Sequence, residues 1–490
     1  MSTWPANKRA WRATGALAVA ALLAGCTVGP DFVRPPAPRV SRFMPPDDAG
    51  AAAGTWAGGG QTQALSAGEP LTRDWWMRFG SRAIDSAVDD ALTGSPTLAG
   101  AQATLQRSEH ALRAGEGIFF PQADAQAGAA RQRSAPLRTG QTLPPTIFNL
   151  FTLSATVSYT LDLWGGERRQ VEALAADVDA QRQALAGAYL MLTANVVNTM
   201  IARAAYRDEA AATREMIGLL DEQIRLTRAQ VTAGATAYVA VLTLESQRAS
   251  LEATLPALEQ KRGQADDLLA LLAGRYPADG TTAEVSLDAI ALPASLPDTA
   301  PSSLVRRRPD ILQAEAQLHV ASAQVGVATA ALYPNITLSA SGGFDSIVAG
   351  QLFAPAGRAW SVGAGLTAPL FHGGTLWNQR RAAQDAYHEA DAAYRQVVLS
   401  AFSQVADTLR ALANDAAALD AQARAMAAAR DALTLTQAGY DGGITGYIPL
   451  LVADTQYHQA RVAWLQAVAQ RLQDTVAFYV ALGGGWGEAG

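Results

Sequence analysis

Few residues in this chain are suited to chemistry, and the first of them is its single cysteine, Cys26. A lone thiol excludes a disulfide framework and any site that needs several thiolates. Its setting points to another chemistry. Lys8, Arg9 and Arg12 precede the apolar run Ala13–Leu23, which closes on Leu23-Ala24-Gly25-Cys26. That order is an export signal ending at a bacterial lipobox, where the sulfur forms a thioether to diacylglycerol and the cysteine becomes the mature N-terminus. The apolar run is too short to span a bilayer. Cys26 is therefore the expected lipidation site, and acyl chains at about 0.8 kcal/mol per buried CH₂ would make the anchor stable. Thr27 stands where an aspartate would signal retention in the inner membrane.

The remaining candidates do not assemble a reaction. His110, His319, His372, His388 and His458 show no ligand spacing, so neither a metal nor a cofactor is expected. There is no nucleophile elbow and no phosphate loop. Gly363-Ala-Gly365-Leu-Thr-Ala368 matches a dinucleotide fingerprint in form, but Pro369 prevents a helix from starting there, and these read as small strand residues. Lys and Arg number 38 against 44 Asp and Glu, a net charge of −6, which argues against a nucleic-acid partner. An enzyme is not expected.

The elements carry more information than any single residue. In Leu150–Gly166 the odd positions Phe151, Leu153, Ala155, Val157, Tyr159 and Leu161 are apolar. The even positions Thr152, Ser154, Thr156, Ser158, Thr160 and Asp162 are polar. Alternating side chains point to opposite faces, so this is a strand with one dry and one wet face. It is far longer than the usual strand of about 5–6 residues. Ala359–Gly374 repeats the pattern with Trp360, Val362, Ala364, Leu366, Ala368 and Leu370 on one face. Each copy follows another alternating segment opened by an aromatic-proline step, Phe120-Pro121 or Tyr333-Pro334. Further on, Leu226–Gln247 aligns without gaps on Leu435–Gln456, matching Gly234 to Gly443 and Tyr238 to Tyr447. The chain reads as an internal tandem duplication, each half holding two strands and a long helical hairpin.

Helices are expected near 81–92, 96–118, 167–231 and 237–272, the last kinked at Pro256, and again over 309–332, 375–440 and 446–482. The Pro- and Gly-rich residues 28–71 read as an extended tether. Four strands in lipid would leave two edges unsatisfied, so they must close with other copies, and three copies give twelve strands. The expected fold is a membrane α+β class, with four strands per chain closing with those of other copies and long helices packed side by side in a sheet or tube with a belt partway along. The expected divisions are 1–25 signal peptide, 26–72 tether, 73–274 first repeat with strands about 120–132 and 150–163, 275–308 equatorial connector, 309–482 second repeat with strands about 334–345 and 359–371, and 483–490 tail.

The lipobox followed by VGPDFVRP, the WWMRF start, the RRRPDI segment at Arg306–Ile311 and the duplicated halves resemble the TolC family, in its lipoprotein branch of OprM/NodT type. The resemblance covers the whole mature chain. It implies a trimeric 12-stranded β-barrel continued by a long α-helical barrel with an equatorial belt. It also implies a homotrimer in outer membrane lipid that reaches into the periplasm and acts as the exit duct of a tripartite efflux pump for drugs or other small toxic compounds. A periplasmic adaptor (membrane fusion) protein and an inner-membrane transporter of the resistance-nodulation-division (RND) class are the implied partners. The hairpin tips, with Gly234, Ala235, Gly442, Gly443 and Ile444, are then the expected adaptor-docking surface, and Tyr238, Tyr447 and Asp441 the candidate periplasmic gate. Family members often carry aspartates just after the tip. The matching positions here are Pro449 and Val452, with Ala240 in the first half. A type I protein-secretion channel and a non-pore structural lipoprotein are the alternatives.

Overall fold

A computed structural model describes residues 27–40, 42–45, 54–66, 69–133, 144–279 and 282–485. Cys26 lies outside the described residues. The elements are β1 (Thr55–Gly58), β2 (Gln61–Ser66), α1 (Arg82–Gly94), α2 (Pro96–Glu116), β3 (Gln122–Arg133), β4 (Ile147–Leu161), α3 (Gly166–Thr232), α4 (Val239–Glu252), α5 (Leu255–Leu272), β5 (Ser295–Pro297), α6 (Pro309–Ala330), β6 (Asn335–Ser346), β7 (Arg358–Thr367), α7 (Thr375–Asp441) and α8 (Tyr447–Ala481). They group into two compact units, one of residues 1–35, 105–180 and 314–394, the other of the rest.

The first unit holds an antiparallel sheet in the order β3-β4-β6-β7. Val157 of β4 stands between Ala123 and Ala340, and Leu153 between Ala127 and Phe344, so the dry side of β4 extends across the sheet. The wet side runs in register through Thr156, with Asp124 and Ser341 beside it. β3 and β7 are the edges, and every residue of both is exposed. At the foot of β4, Trp164 stacks on Tyr333 at 4.7 Å and donates its indole N–H to the Pro334 carbonyl at 2.7 Å.

Residues 27–35 form a strap on the start of α3 and along α6 from Gly326 to Glu315. The Val28 N–H reaches the Trp164 carbonyl at 2.9 Å, Arg169 pairs with Asp31 and Glu172, and Phe32 stacks on His319 at 4.2 Å. His319 in turn meets Glu172 at 2.9 Å, and Arg34 reaches Glu315. Gly29 has φ +94°, and a Cβ there would lie 2.5 Å from the Gly326 Cα. Only glycine fits.

The second unit contains a small sheet, β1-β2-β5, in a stretch where the composition predicts an extended tether. Gly59 and Gly60 have φ of +58° and +82°, the backbone of a two-residue hairpin turn that needs positive φ at both places. Gly58 lies so close to α7 that a Cβ would sit 2.0 Å from the Ala416 carbonyl oxygen. Arg471 of α8, fully buried, donates to Gln63 Oε1 at 3.0 Å and to the Gly58 and Trp56 carbonyls at 3.0 and 3.2 Å. Trp75 stacks on Tyr479 at 5.3 Å. Arg308 holds Asp310, Gln404 and the Ala481 carbonyl together.

The return helix of the first half is broken rather than bent: α4 ends at Glu252 and α5 begins at Leu255, with Pro256 in its first turn. Proline lacks the N–H that a helix interior requires, and the first turn is where that donor is not missed.

Candidate functional site at the hairpin tips

α3 and α7 run 67 residues each, about 100 Å of rise, before the chain reverses. Both reversals use the same cap. In the first, Gly234 at φ +72° donates to the Val231 carbonyl at 2.9 Å and Ala235 donates to Gln230 at 2.9 Å. In the second, Gly443 at φ +71° donates to Tyr440 at 3.0 Å and Ile444 donates to Gly439 at 2.8 Å. This is the Schellman pattern, in which the residue past the helix end adopts the left-handed conformation. A Cβ built on either glycine meets nothing within 4 Å. Backbone conformation, not space, therefore demands glycine at both tips. Gly442 is different: its added Cβ would lie 3.3 Å from the Ala438 carbonyl oxygen.

The tips are bare and apolar. Ala235 is exposed, and Ile444 is 84% exposed with Ile448 at 60% and Val239 at 63%. Isolated exposed apolar residues are ordinary, but a cluster of them marks an interaction surface.

The sequence-matched tyrosines part company. Tyr238 is 58% exposed. Tyr447 is half-buried and packs, with Leu451 and Val231, against a core of Met216, Leu220, Ile224, Val241 and Leu244. Asp441 is exposed and accepts from Gln437 of its own helix at 2.8 Å. The three candidate gate residues are thus spread over separate surroundings. Of the positions matched to the family's aspartates, Ala240 is buried, Pro449 exposed and Val452 half-exposed.

What joins the two hairpins is a polar seam that the residue pattern did not disclose. Gln230 Nε2 donates to the Tyr440 hydroxyl at 3.2 Å. Between α3 and α8, Gln223 donates to the buried Asp454 carboxylate at 2.5 Å, Thr213 meets His458 at 3.2 Å, and Glu215 pairs with Arg461. Gln466 donates to Glu209 at 3.2 Å further along. Burial pushes the carboxyls of Asp454 and Glu209 up, against the opposing pull of their glutamine donors. Burial and then the Arg461 charge push His458 down. One signal could have found this seam: Asp454, His458 and Arg461 recur at intervals of three to four along one helix face. Among the described residues no group of His, Cys, Asp and Glu is placed to hold a metal ion.

The family profile described as outer membrane efflux protein matches residues 87–275 and 300–484. The pyoverdine export outer membrane protein OpmQ of Pseudomonas aeruginosa is 30% identical over 418 residues, 84% of this chain and 88% of that one. Nodulation protein T of Rhizobium leguminosarum bv. viciae is 28% identical over 476 residues, 95% of this chain and 92% of that one. The solved structure of the outer-membrane channel OprN superposes with a TM-score of 0.83 at 28% identity, covering 94% of this chain and 100% of the other.

Proposed function

The chain belongs to the outer membrane efflux protein family, and from that premise we propose how this outer-membrane efflux channel is assembled and engaged. Three copies close their strands into one twelve-stranded barrel, and their helices, two duplicated halves per chain, continue it as a tube. One observation carries this reading. The sheet β3-β4-β6-β7 has an apolar face that runs across all four strands and turns polar only at the end away from the helices, yet β3 and β7 have no strand beyond them among the described residues. Unpaired edge groups in hydrocarbon cost several kcal/mol each, so the edges must meet other copies. Cys26, acylated, adds a lipid anchor directly before the strap that begins at Thr27.

The hairpin tips dock a periplasmic adaptor, which links the duct to an inner-membrane RND transporter. Matching caps on the two halves and the bare Ile444, Val239 and Ile448 support this role. Of the three gate candidates, the exposed Tyr238 and Asp441 narrow the closed mouth, while Tyr447 packs against the first hairpin. The inner-membrane partner, not the duct, selects the cargo. OpmQ is named for pyoverdine export; what this chain carries follows from the transporter it serves.

A pair of substitutions at one position tests the docking. Gly443→Asn keeps a residue tolerant of the left-handed conformation and adds no charge. Gly443→Asp adds a negative charge to the apolar tip. The Asp variant is expected to form the same oligomer by native mass spectrometry and to lose efflux in cells, with the Asn variant retaining most of it. Full drug export by the Gly234→Asp, Gly443→Asp double variant would place docking elsewhere.

A further inference from the structure

The strand register assigns each residue of the four long strands to one of two faces. Asp124 and Asp345 stand opposite Thr156 and Thr152, on the wet face of β4. The dry face carries no Asp or Glu on any of the four strands. It does carry three arginines. Arg131 stands opposite Asn149, Arg133 opposite Ile147, and Arg358 opposite Phe344, which is itself opposite Leu153. All three are exposed.

All three also lie toward the same end of the sheet. Arg131 and Arg133 close β3 just before the β3–β4 connection, and Arg358 opens β7 just after the β6–β7 connection. Those connections lie at the end of the sheet away from α2, α3, α6 and α7, which join the opposite strand ends. At the helix-joined end the dry face shows Ala123, Tyr159, Leu161, Ile336 and Leu366, and no cation. The helices extend into the periplasm, so the arginines lie at the outer surface of the membrane. A guanidinium there, at the edge of the hydrocarbon, escapes most of the cost it would meet at the midplane.

We propose that this rim binds the phosphate groups of the anionic glycolipid that forms the outer leaflet, at a site completed where two copies of the chain meet. The proposal rests on the barrel closure described above, because β3 and β7 are the two sheet edges. Closure brings Arg358 of one copy toward Arg131 and Arg133 of the next. Like charges on neighbouring strands repel. With no carboxylate on that face to offset them, an external anion is the remaining source of compensation. Guanidinium forks match phosphate oxygens in paired hydrogen bonds, and lipid phosphates occupy this height. A channel trimer then carries three such seams, each tying its barrel to the leaflet around it.

The test uses the full-length protein in detergent, titrated with diphosphorylated lipid A, with dephosphorylated lipid A and with phosphatidylglycerol. Native mass spectrometry reads oligomer and bound lipid together. Arginine near an anionic surface contributes about a fivefold gain in affinity. The Arg131→Gln, Arg133→Gln, Arg358→Gln variant is therefore expected to stay trimeric and bind diphosphorylated lipid A on the order of a hundredfold more weakly. Should that variant fail to assemble, Arg358→Gln alone is expected to weaken binding about fivefold on an intact trimer. Unchanged binding by an assembled variant overturns the proposal. So does equal binding of dephosphorylated lipid A or of phosphatidylglycerol by the wild type. A monomeric wild type overturns barrel closure itself, and with it the seam.

Discussion

Asp415 shows how a buried charge is managed in the second unit. Its Oδ2 is buried without a hydrogen-bond partner among the described residues. Burial first, then the adjacent Asp474, pushes its carboxyl up to about 7, and the nearby Arg471 charge only partly opposes this. The donors of Arg471 go to Gln63 and to the Gly58 and Trp56 carbonyls, so no carboxylate is bonded to it there. A carboxyl raised in the folded state favours folding most below its unfolded value, and that benefit is lost as pH rises toward the folded value. Asp415's contribution to thermal stability should therefore fall as pH rises from 3.8 to about 7, and level off above that. Asp415→Asn removes this ionisation, so the variant should unfold at a higher temperature than wild type above that range, with the gap closing in acid. A pH series of thermal unfolding in detergent measures it; parallel curves would exclude Asp415 as the titrating group.

Among the elements, β4 gives the sharpest contrast. Val157 lies between Ala123 and Ala340 on the dry face, and its chain neighbour Ser158 lies between Gln122 and Ser339 on the wet one. Val157→Arg should cost about 2–4 kcal/mol near the midplane, and Ser158→Arg much less. Refolding into lipid vesicles with a denaturant titration reads both, and equal costs would refute the facing. The two long helices make a different point. Their caps at Gly234 and Gly443 are alike in φ and hydrogen bonds, yet Tyr238 and Tyr447, one turn on, differ in burial. Tyr447 is covered because the first hairpin supplies Met216, Leu220 and Val241 against it, and Tyr238 has no such counterpart.

For the whole molecule, the proposed closure makes one chain an incomplete channel. Native mass spectrometry of the detergent-extracted protein should give a trimer, and the same spectrum should show the acyl mass on Cys26. In planar bilayers that trimer should produce discrete conductance steps. A stable monomer with full strand content would end the twelve-strand reading, and a silent trimer would leave a structural lipoprotein without a pore.

Much of this architecture was legible from residue order because its signals are local. Alternation fixes which side of a strand is wet, and proline-free alanine-rich runs fix where a helix continues; α3 begins and ends within a residue of the expected span. The glycines at the two tips were legible because a helix reversal demands positive φ there. What the residues could not disclose depended on partners distant in the chain. The stretch around Gly58-Gly59-Gly60 reads as slack, but it is a hairpin whose place is set by Ala416 and Arg471. The seam of Gln223 with Asp454 and of Gln230 with Tyr440 joins positions more than 200 residues apart. Local preference is a property of a few neighbouring residues, whereas the choice of hydrogen-bond partner for a buried polar group belongs to packing, and only the tertiary structure decides it.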